Sequence, residues 1–158
     1  MASGWNDTPL TPVDEVYYAL KTIVDKNNGV ADTSKVWLQI SFDWVGWQKK
    51  EGKIINKDAL SLGYNTFKQI LAGGADIKYS QYSMNPYVKY INAADGIENI
   101  IWYEDSRSVM AKIRLAQMFG INGISLWRLG NIPADESPSD KQQYLDVWQN
   151  IVKNKAGH

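Results

Sequence analysis

The sequence predicts an α/β fold in which strand–helix units are interrupted by a small α+β domain, and three observations carry that prediction. Val36-Trp37-Leu38-Gln39-Ile40-Ser41-Phe42 is a nearly continuous apolar run of strand length. The segments flanking it, and those near the C-terminus, repeat apolar residues at helical spacing. Between residues 43 and 100 the character changes to short tyrosine- and lysine-rich stretches punctuated by Gly52, Gly73-Gly74 and Asp95-Gly96.

The first helix is expected over 12–26. Pro12 suits a helix entry, Asp14 and Glu15 sit well against the dipole of the first turn, and Val13, Val16, Tyr17, Leu20, Ile23 and Val24 form one apolar face. Asn27-Asn28-Gly29 stops it. The run 36–42 follows as a strand buried on both faces, as in a parallel sheet. Within 43–103, a helix is expected over 60–71 and strands over 77–79, 87–91 and 97–103. A further helix over 106–119 places Val109, Ile113, Ala116 and Met118 on helical repeats and ends at Gly120, before the turn Asn122-Gly123. Residues 124–127 read as a short buried strand and 131–140 as a polar loop with two prolines. A last helix over 138–153 presents Tyr144, Leu145, Trp148, Ile151 and Val152 on one face. The order helix, strand, insertion, helix, strand, helix is the rhythm of βα units.

Composition narrows the function. The chain has 158 residues, long enough for one domain with a real core. Its 17 basic residues balance 17 acidic ones, so no net field draws it to nucleic acid or to an anionic membrane. No apolar run approaches the length of a membrane span, and a soluble chain is expected. There is no cysteine, and the only histidine is His158, which removes thiolate chemistry, a Ser-His-Asp triad and a metal centre; no cofactor is expected. The glycines form no phosphate loop. Seven tryptophans and nine tyrosines against three phenylalanines admit two readings: a core rich in large rings, or a surface that stacks on the flat apolar faces of sugars.

The carboxylates left as candidates are Asp43, at a strand end, and the pair Glu104-Asp105, just before a helix. Polar side chains at the C-terminal ends of parallel strands face the usual active-site side. Helix capping is the competing explanation for Glu104 and Asp105.

The stretch Ile101-Trp102-Tyr103-Glu104-Asp105-Ser106-Arg107-Ser108, with Ala111-Lys112 and then Gly120-Ile121-Asn122-Gly123-Ile124-Ser125-Leu126-Trp127-Arg128-Leu129-Gly130, resembles the end of glycoside hydrolase family 18 barrels of the chitinase and spore-cortex-lytic type. Lys35 to Phe42 resembles the family's seventh strand, preceded by its sixth helix. The similarity runs over roughly 10–153. It implies a partial TIM barrel, the last βα units of a (β/α)8 barrel. Segments 10–42 and 104–154 would hold helix 6, strand 7, helix 7, strand 8 and helix 8, with an α+β insertion domain at 43–103.

The resemblance implies further that Trp127 floors a cleft beneath an N-acetyl sugar, with Trp44, Trp47, Tyr103, Asp43 and Arg128 near the same rim. Plain packing is the alternative for Trp127. At the seventh strand many relatives continue Pro-x-Tyr-Gly, where this sequence reads Ser41-Phe42-Asp43-Trp44-Val45-Gly46-Trp47. The family's Asp-x-x-Asp-x-Asp-x-Glu motif occurs nowhere in the chain, so no catalytic residue is assigned and the chain alone is expected to be inactive. The expected role is the C-terminal portion of an enzyme acting on chitin or peptidoglycan, in a secreted, cell-wall or spore setting of a Gram-positive bacterium. Expected partners are an N-acetylglucosamine-containing glycan, the missing N-terminal half of the barrel and, for a piece with open strand edges, further copies of itself. A non-catalytic carbohydrate-binding module and a structural, self-associating domain are the rival readings.

Overall fold

The computed structural model describes residues 7–132 and 144–156. Helix α1 spans Val13–Ile23, with Pro12 in extended conformation before it and Asp14 and Glu15 in its first turn. It ends three residues short of expectation. Val24 takes φ −94° and ψ 10°, and the Asp25 carboxylate accepts the amides of Asn27 and Asn28, which pulls the chain out of helix before the Asn-Asn-Gly stop is reached.

Strand β1, Trp37–Ser41, pairs in parallel with β8, Gly123–Trp127, in a two-stranded sheet whose register sets Trp37 opposite Gly123 and Ser41 opposite Trp127. Leu38, Ile40, Ile124 and Leu126 face the helices, where they meet Val109 and Ile113 of α3 (Ser106–Met118) and Val147 and Ile151 of α4 (Val147–Ala156). Leu20 of α1 closes the other side of α3 with Ala116 and Ile121. The expectation of a strand pair buried on both faces is not met. Trp37 is 65% exposed and Trp127 51%, because residues on the alternate side of each strand face away from the helices that cover the pair.

A second, six-stranded sheet is built by the residues between β1 and α3. Its antiparallel order is β3-β2-β7-β6-β5, from β2 (Trp44–Lys50), β3 (Lys53–Ile54), β5 (Asp76–Ser80), β6 (Asn85–Ile91) and β7 (Glu98–Trp102), with β4 (Leu60–Leu62) also on β2. The three expected strands in this region are present as β5, β6 and β7. The helix expected over 60–71 begins only at Tyr64, as α2 (Tyr64–Ala72), since Leu60, Ser61 and Leu62 pair with Gly46, Val45 and Trp44 instead. One face of the sheet packs Trp44, Val88, Ile101 and Tyr103 against Phe67 of α2, and the other gathers Val45, Trp47, Ile100 and Trp102.

Helix α3 has the caps its sequence announces. Asp105 accepts the amides of Arg107 and Ser108 at 2.9 and 3.0 Å while Ser108 Oγ accepts the Asp105 amide at 2.9 Å, a reciprocal capping box. Gly120 ends the helix at φ +73°. Met118, expected on the apolar repeat, is exposed.

The last helix starts at Val147 rather than at 138, and 138–143 lie outside the described residues, as do most of the expected polar loop and His158. Tyr144 has φ +59°, its carbonyl accepts the Ser106 amide, and Leu145 drops into the cluster around Trp44 and Phe67, so the chain here links α3 to the second sheet instead of continuing a helix. The buried face is therefore Leu145, Val147 and Ile151, while Tyr144, Trp148 and Val152 are exposed. Among the described residues no helix is long and apolar enough to cross a membrane, and no cluster of histidine, cysteine, aspartate or glutamate could hold a metal.

Candidate functional site

Parallel pairing brings the C-terminal ends of β1 and β8 side by side, and the chain turns sharply at both. After β8 the backbone enters a 3-10 turn, Leu129–Asn131, and after β1 it passes Phe42 and Asp43 into β2. A cleft of about 380 Å³ opens between these ends and the β2–β4 edge, lined by Asp43, Trp44, Leu60, Ser61, Trp127 and Arg128, among others. The peptide between Trp127 and Arg128 is cis.

Asp43 is held in place. Asn131 Nδ2 donates to its Oδ1 at 3.0 Å and Ser41 Oγ donates to its Oδ2 at 3.1 Å, so the turn after β8 and the end of β1 clamp one carboxylate between them. Each oxygen still has lone-pair capacity to accept a ligand hydroxyl. Trp127 offers an exposed ring, and Arg128 beside it is also exposed. Trp44 is 1% exposed; its indole Nε1 has no hydrogen-bond partner among the described residues.

Not every aromatic expected on the rim is there. Tyr103 is buried against Trp44 and Phe67, with ring centroids 5.2 and 4.6 Å away, and burial pushes its phenol well above its usual pKa, so it stays protonated. Trp47 lies on the opposite face of β2 from Trp44, buried, with its Nε1 donating to the Thr8 carbonyl at 3.0 Å. The alternation of a strand sends residues 44 and 47 to opposite faces, and adjacency in sequence hid that. As a rim, the six residues reduce to Trp127, Arg128 and Asp43, with Trp44 behind them.

Sequence reasoning also missed the clamp residues Ser41 and Asn131. It left Glu104 between capping and chemistry, and the structure assigns it neither. Glu104 is buried, ion-paired with the equally buried Lys112, and accepts Ser108 Oγ at 2.5 Å, Asn85 Nδ2 at 2.9 Å and Thr11 Oγ1 at 3.3 Å. Asp105 does the capping, and its other oxygen takes Arg107 Nε and NH2, whose guanidinium lies between the rings of Tyr79 and Tyr144 at 4.2 and 3.9 Å. Burial pushes the Asp105 carboxyl upward against the pull of these donors. A larger groove, about 600 Å³, runs along α3 past Met84, Met110 and Met118, and shares no lining residue with the cleft at the strand ends.

No family model matches the sequence. It is 38% identical to the cortical fragment-lytic enzyme of Bacillus subtilis (strain 168) over 56 residues, which are 35% of this chain and 13% of that protein. In three dimensions it matches the spore cortex-lytic enzyme SleL of Bacillus cereus with a TM-score of 0.70 at 22% identity, over 96% of this chain and 32% of that one. The fold is that of cortex-lytic enzymes and chitinases. A chitinase from Chromobacterium violaceum matches this chain with a TM-score of 0.62 at 22% identity, over 94% of this chain and 41% of that one. The resemblance read from 101–108 and 120–130 is thus borne out. The chain spans about a third of the length of the SleL chain it matches.

Proposed function

We propose that the chain is the C-terminal portion of a family 18 glycoside hydrolase acting on β-linked N-acetylglucosamine polymers, and that it supplies the floor and one wall of the glycan cleft. The observation that carries this reading is the exposed ring of Trp127 at the C-terminal end of a parallel strand pair, beside a clamped carboxylate and at the mouth of a cleft. A pyranose presents an apolar face that a broad indole covers well. The remaining acceptor positions of Asp43 suit sugar hydroxyls, and the buried ring of Trp44 backs the same cleft.

The same geometry argues that the chain binds and does not cleave. Glycoside hydrolysis needs an acid placed to protonate the leaving oxygen. Among the described residues the cleft lining has one carboxylate, Asp43, which is engaged by two donors, and the other nearby acid, Glu104, is closed off by Lys112. The acid would come from strands this sequence does not contain. Those strands would lie over the open face of β1 and β8, where Trp37, Gln39 and Trp127 are exposed. The six-stranded sheet would then be the insertion domain, 43–103, rising beside the cleft. The names of the spore cortex-lytic relatives support a setting at the bacterial spore cortex or cell wall.

Calorimetric titration with chitotetraose tests this, with cellotetraose as the control that lacks acetamido groups. The expected result is millimolar or tighter binding of chitotetraose alone, lost in Trp127→Ala. Equal affinity for both sugars, or full binding by Trp127→Ala, would leave the cleft without its assigned role.

A further inference from the structure

Helix α3 carries a second stripe that the glycan cleft does not use. Arg107, Met110, Ala111, Arg114 and Met118 recur at the three- and four-residue spacing that sets side chains on one face of a helix, apart from the buried stripe of Val109, Ile113 and Ala116. All five line the groove of about 600 Å³, and Met84, in the turn between β5 and β6, lines it as well. Of the four methionines in the sequence, every one but Met1 is therefore gathered here. Met118 is 82% exposed, more than any other large hydrophobic residue described. Unbranched, polarisable methionines suit a surface that receives a partner's apolar side chains.

The groove is also cationic. No aspartate or glutamate is among the described residues that line it, and Asp14 and Glu15, which follow Val13 on α1, do not reach its lining. Fully buried Asp105 answers Arg107, which offsets one of the two positive charges. The other stands uncompensated, since Arg114 is exposed and pairs with no carboxylate among the described residues. From Arg107 to Met118 the stripe runs about 17 Å, the length of three turns of a second helix. We infer that this groove is the docking site for an amphipathic helix of a partner protein, which lays its apolar face on the methionines and sets an aspartate or glutamate beside Arg114. The inference is independent of the glycan reading, because the groove shares no lining residue with the cleft at the strand ends.

The test uses two synthetic helical peptides with the same leucine face, one flanked by glutamates and the other by lysines, titrated into the folded chain while isotope-labelled methionine methyl signals are followed by NMR. The acidic peptide is expected to move and saturate the Met84, Met110 and Met118 signals while the Trp127 indole stays still. At low ionic strength it should bind about two- to tenfold more tightly than its lysine twin, the range of one or two exposed ion pairs. The preference should reverse in Arg114→Glu, and shrink for the wild type in molar salt. The salt series needs no substitution and so stands even if the variant folds poorly. Equal affinities at low salt, a preference that survives both Arg114→Glu and salt, or no binding of either peptide at millimolar concentration would overturn the inference. So would methyl shifts that follow protein concentration without any peptide, which would make a second copy of the chain the occupant.

Discussion

Lys112 is a buried cation whose charge is answered by one carboxylate. Its ammonium meets Glu104, which also collects hydrogen bonds from α3, from β6 and from Thr11 ahead of α1. Three separate stretches of chain thus converge on one side chain. Removing one partner of such a pair leaves a charge in a medium that cannot solvate it, so Lys112→Met should cost about 3–5 kcal/mol of unfolding free energy, read as a fall in urea midpoint. An unchanged midpoint would mean that water reaches Glu104. The pair was not legible in the sequence. Lys112 sits on α3 eight residues after Glu104, a spacing that gives no local signal, and only the closure of Asn85 and Thr11 over the site shows that both charges are inside. Trp127 and Asp43 were legible because a strand end is a place as well as a residue. Trp47 was not, since its face depended on a strand that sequence reasoning left unassigned.

That strand, β2, shows why part of the element pattern escaped. Its apolar residues stop at Trp47 and it continues as Gln48, Lys49 and Lys50, so neither strict alternation nor a full apolar run marks it. The signal present was Glu51-Gly52, both at positive φ, a turn suited to a two-residue hairpin. Its neighbours β3 and β4 escaped too, whereas α3 was legible because its ends were marked: Asp105 frames its start and Gly120 its end. Asp105→Ala should cost about 1 kcal/mol through the lost cap, and more because Arg107 loses its partner between the two tyrosines; thermal denaturation against Asp105→Asn, which keeps an accepting oxygen, separates the two parts. In the parallel pair, the ring of Trp37 lies over Gly123 so closely that an added Cβ would meet it at 2.8 Å. Gly123→Ala is therefore expected to destabilise by about 1–3 kcal/mol, as overpacking does, and Trp37→Ala should relieve most of that in the double variant. Additive losses in the cycle would contradict the contact.

As a whole, the molecule joins a closed part and an open one. The six-stranded sheet has apolar clusters on both faces, whereas the two-stranded sheet has helices on one face and solvent on the other. Periodicity could announce β1 and β8 as buried strands because their residues suit burial on two sides; it could not announce that one side lacks a cover here. Exposed strand edges and an exposed Trp37 favour association. Light scattering after size exclusion is expected to show concentration-dependent oligomers, and a strictly monomeric chain at high concentration would count against the partial-barrel reading.

The proposed glycan site lies on one surface, the end of the β8 strand, and the most direct test is a heteronuclear NMR titration with N-acetylglucosamine oligomers that follows each indole N–H. The predicted result is that the Trp127 signal moves and saturates while those of Trp47 and Trp102 stay still, and that all movement disappears in Trp127→Ala. Movement of Trp47 or Trp102 without Trp127, or no movement at millimolar sugar, would contradict it.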